Sequence, residues 1–145
     1  MLFRSIIVDE QYQNSVNNLG ETLIPPTLLE FSETFSADLL STLNLKAPVV
    51  TGKSVGPQSI FITLGGSRAF VDAAGRSTAE AYEIQVTKNG ISIIGASPLG
   101  AWWGTRSLLQ QGALSKNQEL SLGTAVDAPG WGIRGAFVSH CSHMY

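Results

Sequence analysis

Two hydrophobic periods run along this chain, and each predicts its own kind of element. A period of about 3.6 residues over 28–43 predicts an amphipathic helix. Thr27 and Glu30 stand three residues apart at its start, which is the spacing of a reciprocal capping box. Pro48 excludes a long continuation, so we expect the helix to end near residue 43. Its apolar face consists of Leu28, Phe31, Phe35, Leu39 and Leu43.

A second helix is predicted after a sharp turn. Ser97 suits the N-cap, and Pro98 suits the first helical position, where no N–H is needed. Gly112 is expected at the C′ position, where it would end the helix. Gly100 and Gly104 indicate close approach of a packing partner. One apolar flank carries Leu99, Trp102, Arg106 and Leu109, and the adjacent Trp102 and Trp103 are expected in the core.

Strands are predicted where the period changes to two. Asn89-Gly90 separates two alternating runs and predicts a hairpin, so 81–87 and 91–96 should pair antiparallel. A weaker strand and connector is predicted within 118–127. The stronger predicted strands are 3–8, 59–64, 81–87 and 91–96.

These elements predict an α+β fold, with an antiparallel β-sheet and two amphipathic helices packed on one face. The cluster Asp127-Ala128-Pro129-Gly130 interrupts any regular element, so we assign the domain to 1–126. Beyond it, 133–138 is strand-like and has nothing after it to pair with. We therefore expect 127–145 to be a linker and the isolated first strand of a second domain, in a chain that is cut short.

Composition narrows the class of protein. The chain has 145 residues, of which 43% are hydrophobic and 14% are charged, as is typical of a well-packed globular domain. The net charge of −2 gives no electrostatic reason to expect nucleic acid or an anionic membrane as a partner. No apolar run reaches the length of a membrane span, and the start of the chain lacks a signal-peptide pattern. The single cysteine excludes an internal disulfide.

Residues 47–54, APVVTGKS, match a loose phosphate-loop pattern, but we reject a nucleotide site there. Such a loop wraps successive backbone N–H groups around phosphates and needs glycines. Pro48 removes one N–H donor, and Val49-Val50 favour extended backbone. The segment also follows a helix, whereas the motif follows a strand.

Histidine and cysteine cluster near the end of the sequence without predicting a metal site. His140, Cys141 and His143 are the only residues of these types, and a closed zinc site needs four ligands. Ser139 and His140 are neighbours on a strand-like segment and point to opposite faces, so they do not form a catalytic dyad. No metal or cofactor is predicted.

The sequence allows two roles, one structural and one in ligand binding, for Trp131 and for Arg134. Trp131 lies in the glycine-rich boundary, where it either belongs to a core or stacks on a sugar ring. A charge at Arg134, inside a strand-like run, is either paired in a structural network or directed at a polar site. Spacing alone does not decide between them.

Several segments resemble a known family. They are SIIVD at 5–9, GETLIPPTLLEF at 20–31, EAYEIQV at 80–86, GISIIGASPLGAWWGTRSLLQ at 90–110 and DAPGWGIRG at 127–135. In order and content they are similar to the N-terminal, non-catalytic domain of family 20 glycoside hydrolases, the β-N-acetylhexosaminidases, in the fungal secreted subgroup. The resemblance implies an antiparallel sheet with two helices, followed by a (β/α)8 barrel whose first strand would be 132–138.

The resemblance implies one substrate-binding residue and no catalytic residue. Arg134 matches an arginine that binds hydroxyls of the terminal N-acetylhexosamine, a role that suits a planar guanidinium. His143 matches a family histidine, while Ser139 and Ser142 stand where the family has aspartate and arginine. The family's mechanism is retaining and substrate-assisted, and its Asp–Glu pair belongs to a later barrel strand. Glu80, Glu83, Glu119 and Asp127 do not match that pair and are assigned no catalysis.

The sequence is compatible with two functions, one as part of an enzyme and one as a protein-interaction module. In the first, the chain is a fragment of an extracellular enzyme that acts on N-acetylhexosamine-terminated glycans or chitooligosaccharides. The domain would then brace the catalytic barrel of the same polypeptide and be inactive alone. In the second, it is a stand-alone protein-interaction module. Without a barrel, an apolar patch on the tryptophan helix or on 132–138 is expected to favour self-association.

Overall fold

The computed structural model describes residues 3–17, 24–66, 69–115 and 119–130, and within these residues the chain forms six strands and two helices. In chain order these are β1 Ser5–Asp9, α1 Leu28–Leu43, β2 Val49–Gly52, β3 Ser59–Leu64, β4 Tyr82–Val86, β5 Gly90–Gly95, α2 Pro98–Leu114 and β6 Gly123–Asp127. The two predicted helices and the four stronger predicted strands are confirmed.

The six strands form one mixed sheet in the order β2-β1-β3-β5-β4-β6. Strand β1 is parallel to both β2 and β3, and β3 is parallel to β5. The pairs that β4 makes with β5 and β6 are antiparallel. The prediction of an antiparallel sheet is therefore wrong for the β2, β1 and β3 side, whereas the predicted hairpin of β4 and β5 is confirmed.

The alternation of apolar and polar residues does not predict that these strands pair in parallel. Alternation shows which face of a strand is buried, and it does not show which strand lies beside it or in which direction. Helix α1 carries the chain back between β1 and β2, so these two strands run the same way. Strand β4 joins the sheet on the far side of β5, so the strand that follows β3 in the chain is not its neighbour in space.

The buried face of the sheet carries rows of paired apolar side chains. One row crosses four strands and consists of the buried residues Val8, Ile62, Ile93 and Ile84. Fully burying such a side chain contributes roughly 1.5–3 kcal/mol, so this row is a main source of stability. Phe35 of α1 and Leu108 of α2 belong to the same apolar cluster. Both helices therefore pack on this one face, as predicted.

Helix α1 begins and ends as predicted. The Glu30 N–H donates to Thr27 Oγ1 at 3.1 Å, and the Thr27 N–H donates to Glu30 Oε2 at 2.7 Å, which completes the capping box. The helix ends at Leu43, and Asn44 follows in the left-handed region at φ 55°. Of the predicted apolar face, only Phe31 is partly rather than fully buried.

Helix α2 turns mainly small residues toward the sheet, so the predicted placement of the tryptophans in the core is confirmed only in part. Its buried residues are Pro98, Gly100, Ala101, Gly104, Thr105, Leu108 and Gly112, and both tryptophans are only partly buried. A Cβ atom at Gly100 would lie 2.2 Å from the Ala81 carbonyl oxygen, and one at Gly104 would lie 2.6 Å from Ile93 Cγ2. The predicted close approach at these glycines is confirmed, and it leaves no room for a side chain at either position.

The end of α2 also differs from the prediction. The helix continues to Leu114, so Gly112 is an interior residue and does not end it. Gly112 faces α1, where an added Cβ atom would lie 2.8 Å from Leu43 Cδ1. Its missing side chain therefore allows close helix–helix packing at this position.

The two edge strands gave little signal in the sequence. Strand β2 was not predicted, and its residues are exposed or partly buried without alternation. At the other edge, β6 covers only the end of the predicted 118–127 segment, and all five of its residues are exposed. A strand that buries few side chains needs no regular hydrophobic pattern.

The predicted boundary lies at the end of the described chain. Asp127 ends β6, and residues 128–130 carry no helix or strand. Residues 131–145, with the predicted strand 133–138, lie outside the described residues. The division into 1–126 and 127–145 stays a prediction.

Candidate functional site on the helix pair

The residues that the sequence singles out for sugar or metal chemistry lie outside the described part of the chain. These are Trp131, Arg134, Ser139, His140, Cys141 and His143. Substrate binding by Arg134 therefore stays a prediction. Within 3–17, 24–66, 69–115 and 119–130, no group of three or more His, Cys, Asp or Glu side chains is placed to hold a metal ion. None of the described helices is both long enough and apolar enough to cross a membrane.

The segment with the phosphate-loop pattern contains a strand and an exposed ion pair. Val49–Gly52 is extended and pairs with β1. Lys53 Nζ lies 3.2 Å from Glu10 Oε1. A phosphate nest needs successive N–H groups that converge on one point, and an extended strand does not provide them. The geometry agrees with the rejection of a nucleotide site.

Two of the acidic residues that the sequence analysis excludes from catalysis hold elements of the fold together. Glu80 Oε1 accepts a hydrogen bond from Trp103 Nε1 at 3.1 Å. Asp127 Oδ2 accepts one from the Tyr82 hydroxyl at 3.1 Å. The first bond ties the segment before β4 to α2, and the second ties β4 to β6. Both carboxylates therefore have a structural use.

An aromatic and ionic seam joins the two helices. The rings of Phe31 on α1 and Trp102 on α2 stack with centroids 5.0 Å apart and planes inclined by 26°. The guanidinium carbon of Arg106 lies 3.8 Å from the Trp102 ring centroid and 5.7 Å from that of Phe35. Arg106 Nη1 bonds to Asp38 Oδ2 of α1. Three of these four contacts cross from α2 to α1, so the seam fixes the helices against each other.

Both tryptophans of α2 are engaged in contacts within the domain. Phe31 and Arg106 stack on Trp102. Trp103 donates to Glu80 and packs against the apolar cluster. A ring that stacks on a sugar needs an open face, and these internal contacts favour a packing role for both side chains.

The seam opens at one end into an apolar cleft, which we call the helix-pair surface. The cleft has a volume of about 310 Å³ and is lined by Ile24, Pro25, Pro26, Glu30, Phe31, Thr34 and Trp102. Ile24 is 86% exposed, more than any other large apolar residue in the described ranges. Fully burying an isoleucine contributes roughly 1.5–3 kcal/mol, so covering this side chain would be favourable. An exposed isoleucine beside a cleft lined by partly exposed aromatic and proline side chains could contact a protein partner.

Glu30 is the acidic residue in the lining of the helix-pair surface. The backbone N–H and the hydroxyl of Thr27 hold the pKa of Glu30 below its usual 4.5. Its carboxylate is therefore ionised at neutral pH and points its charge at the helix N-terminus, where negative charge is favourable. This use in the capping box makes Glu30 a poor candidate for proton transfer.

The hydrophobic pattern does not reveal the helix-pair surface, because Pro25 and Pro26 lie before the first residue of the predicted helix 28–43. The available signal was Ile24, a large apolar residue that stands directly before two prolines and outside every predicted element. Phe31 and Trp102 were predicted separately, on two helices that are far apart in the chain. Nothing in the spacing indicates that their rings stack.

Family comparison covers most of this fold. The family model of glycosyl hydrolase family 20, domain 2, matches residues 6–128. The chain belongs to this family. The matched residues of this family 20 domain include both helices and every strand except the first residue of β1. No curated protein sequence matches the chain significantly.

Two solved structures of larger hydrolases share the fold at low sequence identity. The GH20 β-N-acetylhexosaminidase from Streptomyces coelicolor A3(2) is 17% identical with a TM-score of 0.50, and the match covers 89% of this chain and 23% of that one. A GH138 enzyme targeting pectin rhamnogalacturonan II is 16% identical with a TM-score of 0.51, and the match covers 87% of this chain and 12% of that one. The family 20 domain thus spans less than a quarter of either chain.

Proposed function

We propose that this family 20 domain braces a glycoside hydrolase catalytic domain of the same polypeptide and does not hydrolyse glycosides alone. The proposal is based on the helix-pair surface. This surface is an open apolar cleft, and its lining includes the stacked rings of Phe31 and Trp102 that join the two helices. Similar folds form only 12% and 23% of two larger hydrolase chains, so a neighbouring domain of the same polypeptide is the natural cover.

The chemistry of the helix-pair surface fits a protein partner better than a sugar. Its lining is mostly apolar and aromatic, and its acidic residue is already used in the capping box. The centres of protein interfaces are rich in aromatic residues and poor in charge. A sugar site would instead combine an open ring face with several converging polar groups.

The finer assignment of the parent enzyme rests on family membership and on the resemblance of 90–110 and 127–135. On this basis the parent is a fungal, extracellular β-N-acetylhexosaminidase that removes terminal N-acetylhexosamine from chitooligosaccharides or glycoconjugates. Arg134 would bind hydroxyls of that sugar from the first barrel strand. A similar fold in an enzyme that targets pectin rhamnogalacturonan II favours a bracing role that does not depend on the substrate.

A hydrolysis assay tests the predicted inactivity. The purified chain is incubated with a chromogenic N-acetylglucosaminide over a range of substrate concentrations. We expect no turnover above the buffer control, because the Asp–Glu pair of the mechanism belongs to the barrel. Saturable hydrolysis would contradict the proposal.

The genomic DNA downstream separates the bracing role from the alternative, a stand-alone interaction module. An in-frame continuation that encodes βα repeats with an Asp–Glu pair supports bracing. A stop codon without such a continuation would favour the module.

A binding experiment tests whether the helix-pair surface contacts the catalytic domain. The catalytic domain encoded by the in-frame continuation is produced as a separate polypeptide, and its binding to the present chain is measured by calorimetry. We expect Ile24→Glu to weaken binding at least about tenfold, because it places a charge in an apolar contact. Leu114→Glu is the matched control, since Leu114 is 73% exposed at the far end of α2. Equal binding by the two variants would contradict the assignment of the surface.

A further inference from the structure

Strand β6 is attached to the sheet although none of its residues is buried. All five residues of Gly123–Asp127 are exposed, and the strand pairs with β4 along one edge. An edge strand without buried side chains gains little hydrophobic free energy and opens easily. Its attachment therefore depends on hydrogen bonds, and the side-chain bonds at its C-terminal end are the ones that reach the core.

The hydroxyl of Tyr82 links three elements at that end. Its oxygen lies 2.5 Å from Ser107 Oγ on α2, and it donates to Asp127 Oδ2 on β6 at 3.1 Å. Because the Tyr82 proton goes to the carboxylate, Ser107 is the donor to Tyr82. Tyr82 and Asp127 are also directly opposite each other in the strand register. One hydroxyl on β4 thus joins α2 to the last residue of β6.

The ring of Tyr82 holds this hydroxyl in a fixed position. The residue is 5% exposed and belongs to the apolar cluster. Helix α2 approaches it so closely that a Cβ atom at Gly104 would lie 3.2 Å from Tyr82 Cδ2. A ring confined in this way loses little further freedom when its hydroxyl binds. The hydrogen bond to Asp127 is therefore preorganised by the core.

The second carboxylate oxygen of Asp127 acts on the chain beyond β6. Oδ1 accepts a hydrogen bond from the Ala128 N–H at 2.8 Å. Pro129 follows, and its ring restricts φ. One oxygen is thus tied to the core and the other to the outgoing backbone, so turning the carboxylate away from Tyr82 would disturb both.

We propose that Tyr82, Ser107 and Asp127 form a clamp that holds β6 on the sheet and fixes the direction in which the chain leaves it at Ala128. Asp127 is a positioning residue in this clamp. The clamp is a property of the domain itself. Its consequence for a following catalytic domain, whose start it would orient, rests on the proposed function.

Hydrogen exchange of the whole chain, followed by mass spectrometry, tests the clamp. In Asp127→Ala and in Tyr82→Phe we expect the amides of 123–128 to exchange about tenfold faster or more, because a hydrogen bond to a charged group is lost. Amides of β1, β3 and β5 should keep their rates. Tyr12→Phe is the matched control, because the structure assigns no hydrogen bond to that hydroxyl within the described residues, and it should change neither set.

The double variant tests whether the three side chains act as one unit. If they do, Tyr82→Phe with Asp127→Ala exchanges no faster over 123–128 than the more affected single variant. Additive acceleration would overturn the clamp. Unchanged rates in both single variants would overturn it too, and so would acceleration spread evenly over every strand, since that reports lost global stability.

Ser107→Ala supplies an independent variant at the third position, should Tyr82→Phe disturb folding. It removes the donor to Tyr82 without touching β6. We expect faster exchange over 123–128 alone, and an unchanged rate there would count against the clamp. All these measurements use the present chain without a catalytic domain, so their failure is distinct from failure of the bracing proposal.

Discussion

The guanidinium carbon of Arg106 lies over the Trp102 ring, 3.8 Å from its centroid, while Nη1 of the same group pairs with Asp38 on the other helix. A planar guanidinium makes both contacts at once, whereas the compact ammonium of lysine does not. Arg106 Nη2 is buried and has no hydrogen-bond partner among the described residues. An unpaired buried donor costs about 1–3 kcal/mol, so the stacking and the ion pair together must outweigh this cost.

Arg106→Lys is therefore expected to destabilise the domain. It keeps the charge but loses the stacking on Trp102, and the free energy of unfolding should fall by about 1 kcal/mol. Urea unfolding followed by tryptophan fluorescence measures the change. The ion pair is tested separately: Asp38→Asn in a double-mutant cycle with Arg106→Gln, which removes the charge, should show a coupling of about 0.5–1 kcal/mol. Equal stability of Arg106→Lys and the parent chain would show that the stacking contributes nothing.

Replacing the glycines of α2 with alanine should lower the stability of the domain by amounts that differ in a predictable order. Gly100→Ala should be the most damaging, at about 3 kcal/mol or more, because its Cβ meets the backbone oxygen of Ala81, which yields little. Gly104→Ala meets the side chain of Ile93 and should be intermediate. Gly112→Ala meets the flexible end of Leu43, and better helix propensity offsets that contact. Thermal unfolding of the three variants gives the order, and a Gly112→Ala chain less stable than Gly100→Ala would contradict it.

Local chemistry explains how much of the fold could be predicted. The capping box of Thr27 and Glu30 and the hairpin around residue 89 depend on a few neighbouring residues, so a short stretch of sequence is enough to predict each of them. The parallel pairing of β3 with β5 arises because β4 lies on the far side of β5, and no local sequence pattern shows this position. The two tryptophans of α2 are only partly buried, although their size alone points to them as the centre of the core face. The close packing of Gly104 against Ile93 selects the opposite residues.

The candidate site was harder to predict than the fold because its parts are distant in the chain. Ile24 and Trp102 come from segments separated by most of the domain, and only the packing of α1 on α2 brings them into one cleft. Tyr82 lies in the predicted strand 81–87 and Asp127 in the predicted boundary cluster, and no sequence pattern relates the two. Their hydrogen bond follows from the pairing of β4 with β6, which the weak pattern of β6 does not reveal.

The capping box predicts a dependence of stability on acid. The pKa of Glu30 is lower in the folded chain than its usual 4.5, because Thr27 donates to the ionised carboxylate. Its stabilisation is therefore present above the unfolded pKa and is lost as the pH falls through the folded pKa. Thr27→Ala removes the N-cap, should lower the free energy of unfolding by about 1 kcal/mol at neutral pH, and should weaken this dependence. Parallel acid dependence in the two chains, measured by urea unfolding, would show that the capping box is not its source.

Tyr82 predicts the opposite dependence at high pH. Burial raises its pKa above the usual 10.0, and the nearby Asp127 carboxylate adds to the shift, while the hydrogen bond from Ser107 opposes it. The folded chain therefore binds this proton more tightly than the unfolded chain. The resulting stabilisation is fully present below the unfolded pKa and is lost as the pH rises through the folded pKa.

Tyr82→Phe isolates this contribution, because phenylalanine keeps the ring in the core and has no proton to lose. The free energy of unfolding of the parent chain should fall more steeply than that of Tyr82→Phe above a pH of about 10, so that the difference between the two shrinks. Urea unfolding at several pH values, with the phenolate absorbance of the folded chain recorded in parallel, measures both the loss of stability and the titration. A difference that stays constant across this range would mean that Tyr82 loses its proton equally well in the folded and unfolded chains, and that the core around it does not exclude the phenolate.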